Sequence, residues 1–248
     1  MESSRDLSAE TLEQLVPGRP VQFYPTLLST GVTAIAWANA DAPDGALVVA
    51  DYQISPRGRA DRPWKLTPGR GLGFSLVIHP DLPPKREGWL YTVILTALSD
   101  VYGEEAAIAW PDEVRVGGEM QAAAGVRVRL GPGTIRWAVL DLLLPNAEPP
   151  RGALLVSVVE AIEQRLAGPE DELLEDYHRR CETIGRSLRM RMLGGTGPKL
   201  EGTAVRTIDD GALLLETPEG NEAPIRPQDI REVEPAEAGD GDFRFGLE

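Results

Sequence analysis

Residues 46–64, which read ALVVADYQISPRGRADRPW, decide the fold predicted for this chain. The first five are apolar and predict a buried strand, whereas the glycine and two prolines further on predict irregular structure. Arg57, Arg59 and Arg62 therefore belong to a loop, named here the arginine loop (residues 54–64), where their side chains are free to converge. Since guanidinium groups pair bidentately with carboxylates and phosphates, the sequence predicts a loop that closes over an anion.

A simpler interpretation of the arginine loop stays open. Arginine-rich turns are common and short motifs match by accident, so a solvated basic turn also explains these residues. Trp64 has two interpretations as well, because an indole can cover a bound ring as a lid or pack into the core. The residues alone do not separate these alternatives.

Length and charge restrict the classes of protein that fit. A chain of 248 residues can bury a large core, as one large domain with a smaller companion. The net charge of −14 argues against nucleic acid as a partner, because phosphates would be repelled. The single cysteine, Cys181, excludes an internal disulfide. Because the sequence contains neither a bilayer-spanning apolar run nor a signal-peptide pattern, we expect a cytoplasmic protein with no membrane partner.

Hydrophobic periodicity and turn residues divide the chain into helices and strands. Helices are predicted at residues 9–15, 32–39, 88–101, 153–166 and 170–183. Strands are predicted at 21–27, 46–50, 74–78, 125–130 and 135–144, and they are expected to form a mixed sheet with a hairpin turn at 130–133. After residue 184 the pattern changes to short strands at 187–192, 202–207, 212–216 and 222–225, which is typical of a small β-barrel.

Five segments, in order along the chain, carry a resemblance to a known family. Ser29-Thr30 matches a Ser-Thr-Asn motif, and Ala50-Asp51-Tyr52-Gln53 matches Ala-Asp-x-Gln. Arg57-Gly58-Arg59 with Arg62 and Trp64 matches a Gly-Arg-Gly-Arg-x-Gly-Arg-x-Trp loop, and Trp110-Pro111-Asp112-Glu113 falls on Lys-Trp-Pro-Asn-Asp. Residues 177–185, 202–204 and 208–213 resemble the end domain of the same proteins. In this order the segments resemble the biotin–protein ligase family, within the broader biotin and lipoate ligase fold.

The resemblance implies an α+β fold. A mixed-sheet, class II synthetase-like biotin/lipoate ligase domain would be followed by a small SH3-like β-barrel. The implied boundaries are an N-terminal segment at 1–18, the ligase-like domain at 19–183, the SH3-like domain at 184–235 and a flexible acidic tail at 236–248. Catalytic domains of this family often pair through a sheet edge, so a homodimer is a further expectation.

The resemblance also implies a chemistry. In this family a carboxylate attacks the α-phosphate of ATP to give an acyl-adenylate, and an acceptor lysine on a biotin or lipoyl domain then takes the acyl group. The implied ligands are biotin or a related acid, ATP and Mg²⁺, and cations on a closing loop would reduce the repulsion between the two anions. The residues implied in ligand binding are Ser29, Thr30, Gln53, Arg57, Gly58, Arg59, Arg62 and Trp64; Trp110 and Asp112 are implied in nucleotide binding, and Glu113 in magnesium binding.

Some of these residues have structural explanations too. Ser29 and Thr30 open a predicted helix, so an N-cap role explains at least one of them. Asp112 and Glu113 next to Pro111 can be a solvated acidic turn.

The chain departs from the family pattern where charge and close approach matter. Counted from Trp110, the essential lysine of the family falls on Met120, and methionine cannot carry that charge. The Gly-x-Gly-x-Asn strand of the family falls on residues 139–143, which read Val-Leu-Asp-Leu-Leu here, so a close backbone approach to ligand becomes doubtful. Other changed positions are Ala109 for lysine, Gly31 for asparagine, and Pro56 and Asp61 for two loop glycines.

Three hypotheses follow from this combination. The first is a homologue that binds a carboxylic acid or its acyl-adenylate but has lost efficient adenylation, because losing a transition-state cation lowers a rate by orders of magnitude. The second is an active ligase or acyltransferase in which Arg115 or Arg127 replaces the lysine. The third is an interaction scaffold that binds no small ligand.

Overall fold

The computed structural model describes residues 6–147, 150–194 and 199–236. Of the expectations above, those for residues 1–5 and for the acidic tail after residue 236 lie outside the described residues.

Five α-helices lie in the described residues, and each overlaps a predicted one. They are α1 (Ala9–Leu15), α2 (Thr30–Asn39), α3 (Trp89–Tyr102), α4 (Arg151–Ala167) and α5 (Glu170–Arg180). Helix α5 has acidic residues in its first turn and basic residues in its last, which suits the helix dipole. It ends three residues before the predicted end because Cys181 is extended and pairs with Ile108 as an isolated β-bridge.

The first sheet has seven strands. They are β1 (Val21–Leu27), β2 (Ala46–Gln53), β3 (Leu72–Ile78), β4 (Ala106–Ala109), β5 (Glu113–Val116), β6 (Glu119–Leu130) and β7 (Ile135–Leu144). Their order is β1-β2-β3-β7-β6-β5-β4. Strands β1 and β2 run parallel and the other neighbours run antiparallel, so the predicted mixed sheet is confirmed.

The hairpin β4–β5 was not predicted from the sequence. Each of its strands has only four residues, too few for a periodic pattern to be recognised. Strand β6 also begins at Glu119, six residues before its predicted start.

The helices cover both faces of the sheet and define where its cores lie. On one face α2 packs on β2, β3 and β7, with Ala34 and Ala38 against Val48 and Val139. On the other face the almost fully buried helix α3 lies together with α4 over the larger core. The N-terminus of α2 therefore lies over the last residue of β2 and the interior of β3 and β7.

The second sheet has five antiparallel strands. They are β8 (Ser187–Met192), β9 (Leu200–Thr207), β10 (Leu213–Glu216), β11 (Glu222–Ile225) and β12 (Ile230–Pro235), in the order β11-β10-β9-β8-β12. Strands β11 and β12 are its two edges, so the sheet is open and the predicted closed barrel is not seen among the described strands.

Strand β12 was also missing from the prediction, for a physical reason. Only Ile230 in it is buried, so it has no alternating apolar pattern. Instead Glu232 pairs with Arg191, and Glu234 with Lys199, on the neighbouring segments. In the described part of the chain no helix combines the length and the apolar character needed to cross a bilayer.

Candidate functional site

Thr30 and Gln53 meet where α2 begins and β2 ends. The Gln53 side chain accepts a hydrogen bond from the Thr30 backbone N–H at 2.8 Å and another from the Thr30 hydroxyl at 3.2 Å. Ser29 has the extended backbone of an N-cap, but its side chain makes no capping hydrogen bond. Gln53 therefore satisfies the first helix N–H, and the predicted N-cap role of Ser29 is limited to its backbone.

Ser75 and Asp141 extend this pair across the sheet. Ser75 stands opposite Asp141 in the β3–β7 register. The Ser75 hydroxyl lies 2.8 Å from the Thr30 hydroxyl and 2.6 Å from Asp141 Oδ1. Each of these side chains is at least 96% buried, because Thr30 is 3% exposed, Gln53 4%, Ser75 0% and Asp141 2%. We call Thr30, Gln53, Ser75 and Asp141 the polar cluster.

Arg127 on β6 connects the polar cluster to the arginine loop. Its Nη1 contacts Asp141 Oδ2, and its Nη2 lies 3.0 Å from the Asp61 carboxylate of the loop. Burial raises the pKa of Asp141 to about 6, against the lowering effects of Arg127 and the Ser75 hydrogen bond. One guanidinium group thus joins a buried carboxylate to an exposed one.

The arginine loop is folded against the sheet. Gly58 N donates to the Arg62 carbonyl at 2.9 Å, and Trp64 N donates to the Pro56 carbonyl at 3.0 Å. A Cβ atom at Gly58 would lie 2.2 Å from the Trp64 ring, and one at Gly125 on β6 would lie 3.1 Å from Gly58. Trp64 is half-buried, so in this arrangement its indole covers the backbone of its own loop.

Asp61 occupies a family glycine position with a left-handed backbone, φ +57°. Aspartate tolerates this region better than most residues with a side chain. The left-handed backbone at position 61 is therefore compatible with aspartate, and its carboxylate is the one that meets Arg127.

The three arginines of the loop do not converge on one point. Arg57 and Arg62 are exposed, whereas Arg59 is 2% exposed. The Arg59 guanidinium donates to the backbone carbonyls of Pro227, at 3.3 Å, and Ile230. The prediction that Arg59 would face a ligand is not met in this arrangement, because its head group anchors the loop to the second sheet.

The residues predicted for nucleotide and metal binding have internal partners. Asp112 lies 3.2 Å from Arg59 Nε, and burial raises its pKa despite that arginine. Glu113 lies 2.6 Å from Arg115, and Trp110 belongs to the main core. Across residues 6–147, 150–194 and 199–236 no group of three His, Cys, Asp or Glu could hold a metal ion. The Asp112–Glu113 pair, as arranged here, does not fit magnesium.

Met120 lies apart from the polar cluster. It follows the Gly117–Gly118 turn and stands opposite Arg115 on β5. It precedes Gly125, the β6 neighbour of Asp141, by five residues, which is roughly 16 Å along a strand.

Ser75 was missed by sequence reasoning, and Asp141 was noted only as a departure from the family. Both are polar residues in the middle of apolar strands, and this signal could have identified them, since buried polar groups need partners.

Comparisons with known proteins identify the family of the chain. Over 84% of its length, and over 73% of the relative's, it is 31% identical to the bifunctional ligase/repressor BirA of Bacillus subtilis. The chain belongs to the biotin protein ligase family. It is also 27% identical to the biotin–[acetyl-CoA-carboxylase] ligase of Mycobacterium tuberculosis, over 76% of this chain and 80% of that protein. No protein-family model matches it.

Solved structures agree with this biotin protein ligase assignment at the level of the fold. A biotin protein ligase from Aquifex aeolicus, in complex with biotin and ATP, superimposes with a TM-score of 0.65 at 20% identity, over 88% of this chain and 99% of that one. A biotin protein ligase-like protein of unknown function from Silicibacter has the same TM-score at 15% identity, over 86% and 96%. The seven-stranded mixed sheet is thus the biotin protein ligase fold.

Proposed function

We propose that this protein binds biotin, a related small carboxylic acid or the corresponding acyl-adenylate between the N-terminus of α2 and the arginine loop. The observation that carries the proposal is the hydrogen-bonded pair of Thr30 and Gln53, which continues through Ser75 and Asp141 to Arg127. A buried polar cluster beside a partly exposed guanidinium suits a ligand with a polar head and a carboxylate.

Weak or absent adenylation is part of this proposal. It is supported by Met120 at the counted lysine position and by Asp112 and Glu113, whose carboxylates already pair with arginines. Without a metal held there, the charge that develops on phosphate would lose one source of stabilisation. Magnesium binding at Glu113 stays a prediction that this geometry does not favour.

Calorimetric titration tests the proposal. Wild-type protein is titrated with biotin, lipoate, octanoate and non-hydrolysable analogues of their adenylates, and we expect saturable binding of at least one. Gln53→Leu removes the acceptor of both Thr30 hydrogen bonds and is expected to weaken binding about tenfold or more. Arg129→Met, at an exposed position of β6, is the control and should leave affinity unchanged. If none of these ligands binds, the proposed ligand pocket is contradicted.

An active ligase is the second candidate, and one observation favours Arg127 as its substitute cation. Arg127 touches both the arginine loop and the polar cluster, whereas Arg115 on the neighbouring strand β5 pairs with Glu113 of its own strand. Exchange of pyrophosphate into ATP with each candidate acid distinguishes the two functions. An active enzyme would show exchange that Arg127→Met abolishes and Arg129→Met preserves, and it would transfer the acid to a biotin or lipoyl acceptor domain.

A non-catalytic scaffold is the third candidate. The exposure of Arg57 and Arg62, the internal partners of Arg59 and the Arg127–Asp141 pair over the sheet all favour it. Binding of any acid in the titration would exclude a scaffold without a ligand.

The finer architecture is proposed on the same basis. We propose that residues 184–235 are the SH3-like end domain of the family, that 19–183 are the ligase domain and that 1–18 are an N-terminal segment. The two edges β11 and β12 would then approach each other without the pairing that closes a barrel. Homodimer formation and a cytoplasmic location stay predictions, which sedimentation analysis and cell fractionation test.

A further inference from the structure

Arg151, at the start of α4, is a fully buried arginine that does not belong to the polar cluster. Its Nη2 donates to Asp51 Oδ1 at 2.6 Å, and its Nη1 donates to the Gly71 carbonyl at 3.2 Å. Asp51 stands two residues before the end of β2, and Gly71 directly precedes β3. The arginine loop is part of the connection between these two strands, so one guanidinium group contacts both ends of that connection.

These contacts lie where the pairing of β2 with β3 stops. The ladder between the two strands ends with the pair Ala50–Gly73. Asp51 and Gly71 lie just beyond that pair, one on each strand side. Arg151 therefore joins the two chain segments at the point where the ladder hydrogen bonds no longer do.

The N-terminal part of the chain supplies a second carboxylate to the same guanidinium. Asp6 Oδ1 accepts a hydrogen bond from Nη2 at 3.0 Å, and Asp6 Oδ2 accepts one from Nε at 3.1 Å. Asp6 Oδ2 also accepts from the Arg151 backbone N–H at 3.0 Å, at a helix start where the N-cap residue Pro150 makes no side-chain capping bond. Asp6 thus caps α4 and holds the Arg151 side chain at once.

Burial fixes the direction in which this side chain points. Side-chain exposure is 0% for Arg151, 9% for Asp51 and 14% for Asp6. Because a buried charge without its partner is strongly unfavourable, these groups stay together as long as the chain is folded. The guanidinium is planar and its donors have a rigid arrangement, so it sets the position of Asp51 relative to Gly71.

We propose that Arg151 is a positioning residue, which holds the arginine loop in place over the sheet for the ligand. The inference rests on the proposed function, because the loop is one wall of the proposed pocket. Arg151 is fully buried, so it acts through Asp51 and Gly71 and not by touching the ligand. Holding both ends of the connection before a ligand arrives lowers the entropy that binding would otherwise lose in ordering the loop.

Arg165 provides a matched control on the same helix. It also pairs with two carboxylates, Asp100 at 2.7 Å and Asp176 at 2.8 Å, which belong to α3 and α5. Arg151→Met and Arg165→Met therefore each remove an arginine with two acidic partners. If both arginines have a purely structural role, both variants will have a lower Tm and neither will change the arginine loop specifically.

Limited digestion of the ligand-free proteins with trypsin measures how firmly the loop is held. Arg57 and Arg70 are exposed cleavage sites between β2 and β3, whereas cleavage after Arg136, inside β7, requires the sheet to unfold. The rate at the first two sites divided by the rate at Arg136 therefore separates opening of the loop from unfolding of the domain.

We expect Arg151→Met to raise this ratio at least about fivefold and Arg165→Met to leave it within about twofold of the wild-type value. Asp51→Asn removes the charge at one end of the connection and should raise the ratio as well. It decides the question if Arg151→Met does not fold, which thermal unfolding shows. Equal ratios in the Arg151 and Arg165 variants, or in Asp51→Asn and the wild-type protein, overturn the inference.

Calorimetric titration with biotin tests the consequence for the ligand. Arg151→Met should weaken binding about tenfold, and Arg165→Met should leave the affinity unchanged. Faster loop cleavage with unchanged affinity would also overturn the inference and leave the proposed function standing. If the wild-type protein binds neither biotin, lipoate nor octanoate, the proposed function fails, and the digestion still shows whether Arg151 holds the loop.

Discussion

At the scale of single residues, Arg59 is expected to contribute strongly to stability. Its guanidinium lies between the Asp112 carboxylate and the backbone carbonyls of Pro227, just before β12, and Ile230, the first residue of β12. Arg59→Met would leave Asp112 buried without its charged partner, so we expect a loss of about 3–5 kcal/mol in the free energy of unfolding. Arg57→Met, on the exposed side of the same loop, should change it by less than about 0.5 kcal/mol. Denaturant titration of the two variants measures the difference, and equal effects would contradict the anchoring role.

Asp141 gives a pH-dependent contribution to stability whose sign follows from its pKa. Burial raises that pKa from the ordinary value of 3.8 to about 6, so the folded state holds the proton more tightly than the unfolded state. Stability relative to Asp141→Asn should therefore fall as the pH rises from about 4 to about 6, by up to about 3 kcal/mol, and stay level above that. Unfolding free energies of both proteins between pH 4 and 8 test this. A difference that does not vary with pH would show that Arg127 holds the carboxylate ionised throughout.

Sequence reasoning placed residues whose contacts are set by short local motifs. It did not place residues whose partners lie far away in the sequence. Thr30 and Gln53 were assigned to one site because each belongs to a short motif at the end of a strong element, and the structure places them in contact; their ligand-binding role stays a prediction. Arg59 was misplaced because its partners Pro227 and Ile230 are about 170 positions away in sequence, 168 and 171 positions respectively. The sequence around Asp51 did not predict its ion pair with Arg151, a fully buried arginine 100 positions further along the chain.

At the scale of elements, the turn before β10 is fixed by a close backbone contact. Gly211 has φ +82°, and a Cβ atom there would lie 2.1 Å from the Gly88 carbonyl carbon at the start of α3. Gly220 has nearly the same backbone, φ +80°, with nothing within 4 Å of its ideal Cβ. Gly220→Ala should therefore lower the free energy of unfolding only by the backbone strain, about 1–2 kcal/mol. Gly211→Ala should lower it by about 2 kcal/mol more, because its Cβ overlaps Gly88. Thermal melts of both variants compare the two costs, and similar shifts would mean that the contact with Gly88 yields without strain.

Element prediction succeeded where a segment was long and mostly apolar. Helix α3 and strand β7 span 14 and 10 mostly buried residues, and both were predicted within two residues of their ends. Strands β4 and β5 are too short to show a period, and β12 is held by charge pairs across the sheet. These short strands form because they pair with neighbouring strands. A local sequence pattern carries no information about that pairing.

At the scale of the whole molecule, one of the contacts that join the two sheets also holds the arginine loop. Arg59 reaches Pro227 and Ile230, and Gly88 packs on Gly211. The position of the arginine loop against the first sheet therefore depends on the second sheet being folded. A ligand that binds only when the loop is in this position would therefore also stabilise the folded form of residues 184–235, because a ligand stabilises the state to which it binds.

The position of the tryptophans makes this coupling measurable. All five, at 37, 64, 89, 110 and 137, precede the second sheet, so their fluorescence reports mainly on the first part of the chain, with Trp89 at its contact with Gly211. Amide hydrogen exchange on β8 to β12 reports on the second sheet. In the wild-type protein we expect both signals to be lost at one denaturant concentration, as in a single cooperative transition. In Arg59→Met the exchange on β8 to β12 should accelerate at a lower denaturant concentration than the loss of fluorescence, whereas Arg57→Met should keep the two together. Separate transitions in the wild-type protein would mean that the sheets are independent and that the arginine loop closes without help from the second one.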